Sequence, residues 1–145
     1  MILARKVRLF PTSEQEQQLC KSAGTKRWAY NWALSKQQEN YKSGGKFISD
    51  GELRKELTQL KKTEELQWLN EVSNNVTKQA IKDACNAYMR FFKKQSGFPK
   101  FKSKKHETPS FYNDNIKLKL KKKFLWIANT QDLQCLLTGS IGTYL

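Results

Sequence analysis

"TSEQEQQLCKSAGTKRWAYNWALSKQQENY", residues 12–41, decides how the first half of the chain is built, because everything there turns on what Gly24 does. Thr12 and Ser13 follow Pro11 and read as a helix start, with Ser13 and Glu16 at the spacing of a capping box. Glycine is a poor residue for a helix interior, so the spacing predicts one helix from Ser13 to about Ser22, a short turn at Gly24, and a second from about Thr25 to Tyr41. Trp28 and Trp32 lie one turn apart beside Ala29 and Ala33, which gives the second helix an apolar stripe of helical period. Two helices about a short glycine turn make a helix-turn-helix, in which the second helix enters the major groove of DNA. On that reading Lys26, Arg27, Asn31, Lys36 and Gln37 lie around the rest of the helix, with Arg27, Asn31 and Lys36 expected to bind nucleic acid and Asn31, Lys36 and Gln37 placed to reach base edges.

Upstream, "ILARKVRLF" alternates like a strand, and Pro11 ends it by removing a ladder donor. Downstream, "SGG" at 43–45 closes the helix, and Ser49 with Glu52 forms a capping-box pattern ahead of Leu53, Leu57 and Leu60. "TEELQWLNEV" reads as a short helix anchoring Trp68 and Leu69. Ser73 then caps the longest helix, which carries Val76, Ala80, Ile81, Ala84 and Tyr88 at spacings of three and four. Gly97 and Pro99 stop it. "NIKLKLKKKFLWIANT" alternates apolar residues with lysine and predicts two short strands joined at the lysine run. The order is thus strand, helices, basic loop, strands. It implies an α+β fold in which the helices are an insertion into a small β domain.

The formal charge of +14 is unevenly spread. Between Lys93 and Lys123 stand eleven lysines against two acids, Glu107 and Asp114, a local balance of +9. In "SGFPKFKSKKHETPSFY", residues 96–112, the lysines interleave with four aromatic rings. A field of this kind concentrates polyanions, since each phosphate neutralised releases condensed counterions. Nucleic acid is therefore the expected partner, through Lys93, Lys94, Lys100, Lys102, Lys104, Lys105, Lys117 and Lys119, with Phe98 and Phe101 placed to stack on bases or to peg the loop. Phe111 and Tyr112 read as core residues. No basic amphipathic helix carries the excess, so a membrane surface is not the expected partner.

Nothing in the chain points to catalysis, a metal or a cofactor. Cys20, Cys85 and Cys135 are widely spaced and His106 is the only histidine, so neither a disulfide framework nor a cysteine-rich zinc site is expected. The acids show no metal-ligand or acid–base spacing. With no apolar run near 18 residues and no signal peptide, the expected home is the cytoplasm.

The blocks "RLFPTSEQEQQL", "RWAYNWAL", "ELRKELTQLKK", "WLNEV", "QAIKDACNAYMRFFK", "GFPKFKSKK" and "SFY" together resemble the amino-terminal part of the TnpB or OrfB insertion-sequence proteins, from about residue 5 to residue 120. What the resemblance implies is an RNA-guided DNA endonuclease carried by a transposon, with a RuvC-like nuclease domain and a zinc ribbon farther along. It also implies a β-barrel-like wedge domain bearing an inserted helical recognition lobe, and a transposon-encoded guide RNA as a partner beside DNA. On this frame residues 1–11 are the first strand, 12–96 the helical block, 97–128 the basic loop and strands, and 129–145 a tail that no longer resembles the family, as a frameshift would produce. The chain stops before any RuvC domain, so the expectation is a non-catalytic fragment that keeps nucleic-acid binding. The alternatives are a stand-alone helix-turn-helix regulator and a defective fragment without function.

Overall fold

A computed structural model of the chain describes residues 8–114 in full and, beyond them, the backbone of three strands, Leu118–Lys121, Phe124–Ile127 and Leu133–Leu137. The elements in chain order are β1 (Leu9–Phe10), α1 (Ser13–Lys42), α2 (Asp50–Leu60), a 3₁₀ segment (Glu64–Glu71), α3 (Asn74–Phe92), and then β2, β3 and β4 over the three strands just given.

The first correction concerns Gly24: it does not break the helix. α1 runs unbroken for 30 residues. Its buried positions Ser22, Thr25, Ala29, Ala33 and Gln37 succeed one another at three and four residues straight through Gly24, so one continuous face packs on α3. Glycine costs a helix only about 1 kcal/mol relative to alanine, less than the burial of that face gains. A Cβ at Gly24 would meet nothing within 4 Å, so neither a turn nor a close approach calls for glycine there. The start of α1 also moves by one residue: Thr12 is the cap, paired reciprocally with Gln15.

The capping box at Ser49 and Glu52 is present, as is the Ser73 cap of α3. Backbone and hydroxyl hydrogen bonds from Ser49 hold the Glu52 carboxyl below its ordinary range. α1 and α3 each end in a loop-closing pair of backbone bonds, Gly45 to Asn40 with Gly44 to Tyr41, and Gln95 to Arg90 with Lys94 to Phe91. The left-handed residue that this closure requires is Gly44, φ +76°, after α1, and after α3 it is Lys94, φ 57°.

The core lies between the helices. Ala29, Ala33 and Leu34 of α1, Leu53 and Leu57 of α2, Leu69 of the 3₁₀ segment, and Ala80, Ile81, Ala84 and Tyr88 of α3 form one buried cluster. Trp28 and Trp32 stack at 6.3 Å on its margin, and Trp68 meets Trp28 edge-on at 5.6 Å. Small residues where α1 meets α3 let the two helices approach, while the leucines of α2 fill the side.

A β-barrel-like domain with the helices as its insertion is not what this chain forms. Residues 8–114 are 64% helix and 2% strand, and the buried cluster among them is drawn from the helices and the 3₁₀ segment. The described strands make an antiparallel ladder in the order β1-β4-β3-β2, with β1 and β2 at its two ends and no pairing between them among the described residues, rather than a closed ring. β2 and β3 pair as the expected hairpin, Leu118 opposite Ile127 and Lys121 opposite Phe124. β1 joins through β4, Leu9 opposite Leu137. The alternating pattern in the sequence is strand-like, but alternation over a few residues cannot distinguish an open ladder from a barrel.

Candidate nucleic-acid interface

The basic loop, 97–114, leaves α3 and crosses back over α1. Phe98 starts it with edge-on packing against Phe91 at 5.1 Å and Tyr88 at 5.7 Å, so the ring is a peg on α3 that keeps 46% of its surface exposed. Asn31 then fastens the loop. Its amide nitrogen donates to the Lys102 carbonyl at 2.9 Å, and the Lys102 N–H donates to its amide oxygen at 2.8 Å.

A second fastening is ionic. Glu107 accepts from Lys102 at 2.9 Å and from Lys26 of α1 at 3.1 Å, and Lys26 also donates to the Ser110 hydroxyl at 3.2 Å. Burial pushes the Glu107 carboxyl up, but hydrogen bonds from Lys102 and Lys26 and their charges outweigh it and hold the group below the ordinary carboxylate range. The Lys102 ammonium lies 4.6 Å from the centre of the Tyr30 ring, within cation–π reach. Burial is the main reason the Tyr30 hydroxyl titrates above its ordinary range, with Lys102 opposing it.

These interactions divide the residues expected to bind nucleic acid. Lys93, Lys94, Lys100, Lys104 and Lys105 are exposed and form no ion pair among the described residues, with Lys104 and Lys105 at the tip of a turn. Phe101 is 54% exposed and stacks on no other ring among the described residues. Arg27 is half-buried on α1 and has no partner among the described residues. Lys102, by contrast, is spent on Glu107, Lys36 pairs with Glu56 at 2.8 Å, and the Asn31 amide is filled by loop backbone. Gln37, the other base-reading residue suggested by the sequence, is buried and holds the backbone of Ile48 through both ends of its amide. The Lys119 backbone lies in β2 opposite Trp126, its side chain is outside the described residues, and so is all of Lys117.

Between the loop and α3 lies a hollow of about 720 Å³ lined by Arg90, Lys93 and Lys102, with Tyr30, Asn86 and the single acid Asp83. Sequence reasoning misses the part that Lys26 and Glu107 play in fastening the loop, and Arg90 in the hollow. Glu107 has a visible signal, since an isolated acid inside a lysine run is a natural internal counter-ion. Lys26 and Arg90 have none, because only the crossing of the loop brings them near it.

Among the described residues, no three of His, Cys, Asp and Glu come together as a metal site. No described helix is long and apolar enough to cross a membrane. Cys20 is an exposed thiol and Cys85 a buried one, its pKa raised chiefly by that burial.

Residues 1–46 match the helix-turn-helix domain family of OrfB proteins of the IS605 type. Together with the relatives that follow, this shows the likeness carried by the sequence blocks: the chain corresponds to the amino-terminal part of TnpB/OrfB-type insertion-sequence proteins. It is 35% identical over 115 residues to a protein of Escherichia coli (strain K12) named as a candidate RNA-guided DNA endonuclease, InsQ, covering 79% of this chain and 29% of that protein. It is 36% identical over 107 residues to a candidate RNA-guided DNA endonuclease of Streptomyces pristinaespiralis, covering 74% of this chain and 27% of that one. The chain therefore spans less than a third of the length of these curated relatives. Within the matched stretch 1–46, the turn falls after Lys42 rather than at Gly24.

Proposed function

We propose that this chain binds nucleic acid, DNA and a transposon-derived guide RNA, through the face made by the basic loop and the end of α3, and that it carries out no phosphodiester chemistry itself. The observation that supports this most is the group of five lysines, 93, 94, 100, 104 and 105, without an ion pair among the described residues, around the exposed Phe101 on a loop fastened at Asn31 and Glu107. A fixed loop presents its charges without a large ordering cost, and a half-bare ring beside them suits base stacking. Several of the described carboxylates are already engaged in the fold: Glu52 caps α2, and Glu56, Glu71 and Glu107 pair with lysines. Free thiols at Cys20 and Cys85 suit a reducing cytoplasm.

Recognition on this reading follows backbone and shape rather than base edges, because the Asn31 and Gln37 amides are occupied. A scrambled duplex is expected to compete as well as the original. Changing Lys100, Lys104 and Lys105 together to Ala, with Lys102 retained to keep the latch, is expected to flatten log affinity against log salt. The slope should change by about 0.9 for each phosphate that is no longer neutralised, roughly two to three in all. An unchanged slope would remove the loop from the interface and make Arg27 the next residue to test.

A further inference from the structure

On the other side of α3, near its start, a second hollow of about 630 Å³ opens between the end of α2, the 3₁₀ segment and the first turns of α3. It shares no lining residue with the hollow beneath the basic loop. At about 100° per residue, Thr77 and Ile81 lie on the opposite side of α3 from Asn86 and Arg90.

The charged lining of this hollow is four cations, Arg54, Lys61, Lys62 and Lys78, and no carboxylate. Among the described residues, only Arg54 of these has an ionic partner, Asp50 at 3.0 Å. Lys62 reaches the neutral amide of Gln59 at 3.1 Å, and Lys78 has no partner among the described residues. Lys61 is the telling member. It is 9% exposed, and its ammonium donates to the neutral Asn74 amide oxygen at 2.7 Å. Burial lowers its pKa, and no nearby carboxylate opposes that shift. The first turn of α3 carries no acid either.

A buried ammonium left without a counter-charge is costly. The carbonyl end of α2 supplies about half an elementary negative charge, which falls short of Lys61, Lys62 and Lys78 together. Glu64 and Glu71 line the neighbouring hollow rather than this one, Glu71 is tied to Lys21, and Asp50 is taken up by Arg54. We propose that the hollow between α2 and α3 is a second anion site, in which Lys61 and Lys78 hold one phosphate group and Lys62 closes its rim. The phosphate belongs either to the backbone of a bound strand or to a free polyphosphate, and both present the same oxyanion to the three ammonium groups.

The test is an NMR titration of the full chain at fixed ionic strength, with inorganic pyrophosphate in one arm and a short single-stranded oligonucleotide in the other. Saturable amide shifts in residues 58–62 and 74–78, without matching shifts at 100–105 in the pyrophosphate arm, are the expected result. Lys61→Met and Lys78→Ala should each weaken that binding at least about tenfold, as expected for removal of one charge-assisted hydrogen bond. Lys61→Met removes a buried charge, and Lys78→Ala changes an exposed position, so folding survives in at least the second. Response to the oligonucleotide alone identifies a strand phosphate, and response to pyrophosphate alone a free one. Shifts that never saturate, or that persist in both variants, overturn the site.

Discussion

Two segments that cross the surface of α1 are fastened in the same way and held very differently. Gln37 clamps the backbone of Ile48, and Asn31, six residues earlier, clamps that of Lys102, each amide using both its donor and its acceptor. Gln37 is 3% exposed beside the Cys85 thiol, inside the packing of α1, α2 and α3. Asn31 is half-exposed, and the segment it holds carries bare rings and lysines. The first clamp is part of the core and the second a latch on its surface. A hydrogen bond's worth depends on what happens when it is broken: a buried backbone group stays unpaired, while an accessible one turns to water.

Four measurements test that contrast. The largest effect belongs to Gln37→Ala, which leaves the Ile48 N–H without its partner and its C=O with only the long contact from the Cys85 thiol. It is expected to cost about 3 kcal/mol in urea-induced unfolding. Asn31→Ala should cost about 1 to 2 kcal/mol and, more to the point, open the loop to trypsin at Lys102, Lys104 and Lys105 while the helices stay resistant. Equal protection of the loop in both proteins would show that the latch lies elsewhere. Both clamps rely on an unbroken α1, so Gly24→Ala should raise stability by about 1 kcal/mol. A decrease instead would mean that the helix needs its glycine. The smallest effect is that of pH on the ionic half of the latch. The folded Glu107 carboxyl titrates below its unfolded counterpart, so its contribution is fully present above the unfolded carboxylate pKa. It is lost as pH falls through the folded value. Loop amide protection, measured against the intrinsic exchange rate at each pH, should therefore fall in acid before that of the helices, and the Glu107→Gln variant should lack that step.

Much of the helical body is legible in the sequence, for particular reasons. Ser49 with Glu52, and Ser73, mark helix starts by chemistry that operates within four residues, so no distant information is needed. The stripe from Val76 to Tyr88 is strongly apolar and shows its period plainly. α1 misleads because its buried face on either side of Gly24 is built of Ser22, Ala23 and Thr25, residues too small or too polar to carry the stripe of Ala29 and Ala33 back through the glycine. Against that faint pattern a single glycine looks decisive. At the interface the sequence identifies the exposed lysines by charge alone. It cannot separate Lys100, Lys104 and Lys105 from Lys102 and Lys36, which share their chemistry but find carboxylates only once the chain has folded. Asn31 and Gln37 show the same limit, since polar residues on a predicted helix look free until another segment arrives.

The unbroken course of α1 also has a mechanical meaning. Thirty residues at 1.5 Å each make a rod about 45 Å long, and a hinge at Gly24 would have divided it into two arms. Only Pro11 and Thr12 separate the rod from β1, which is paired to β4. A rotation imposed on that strand would be carried along the whole rod, and the loop strapped to it at Lys26 and Asn31 would swing with it as cargo on a lever.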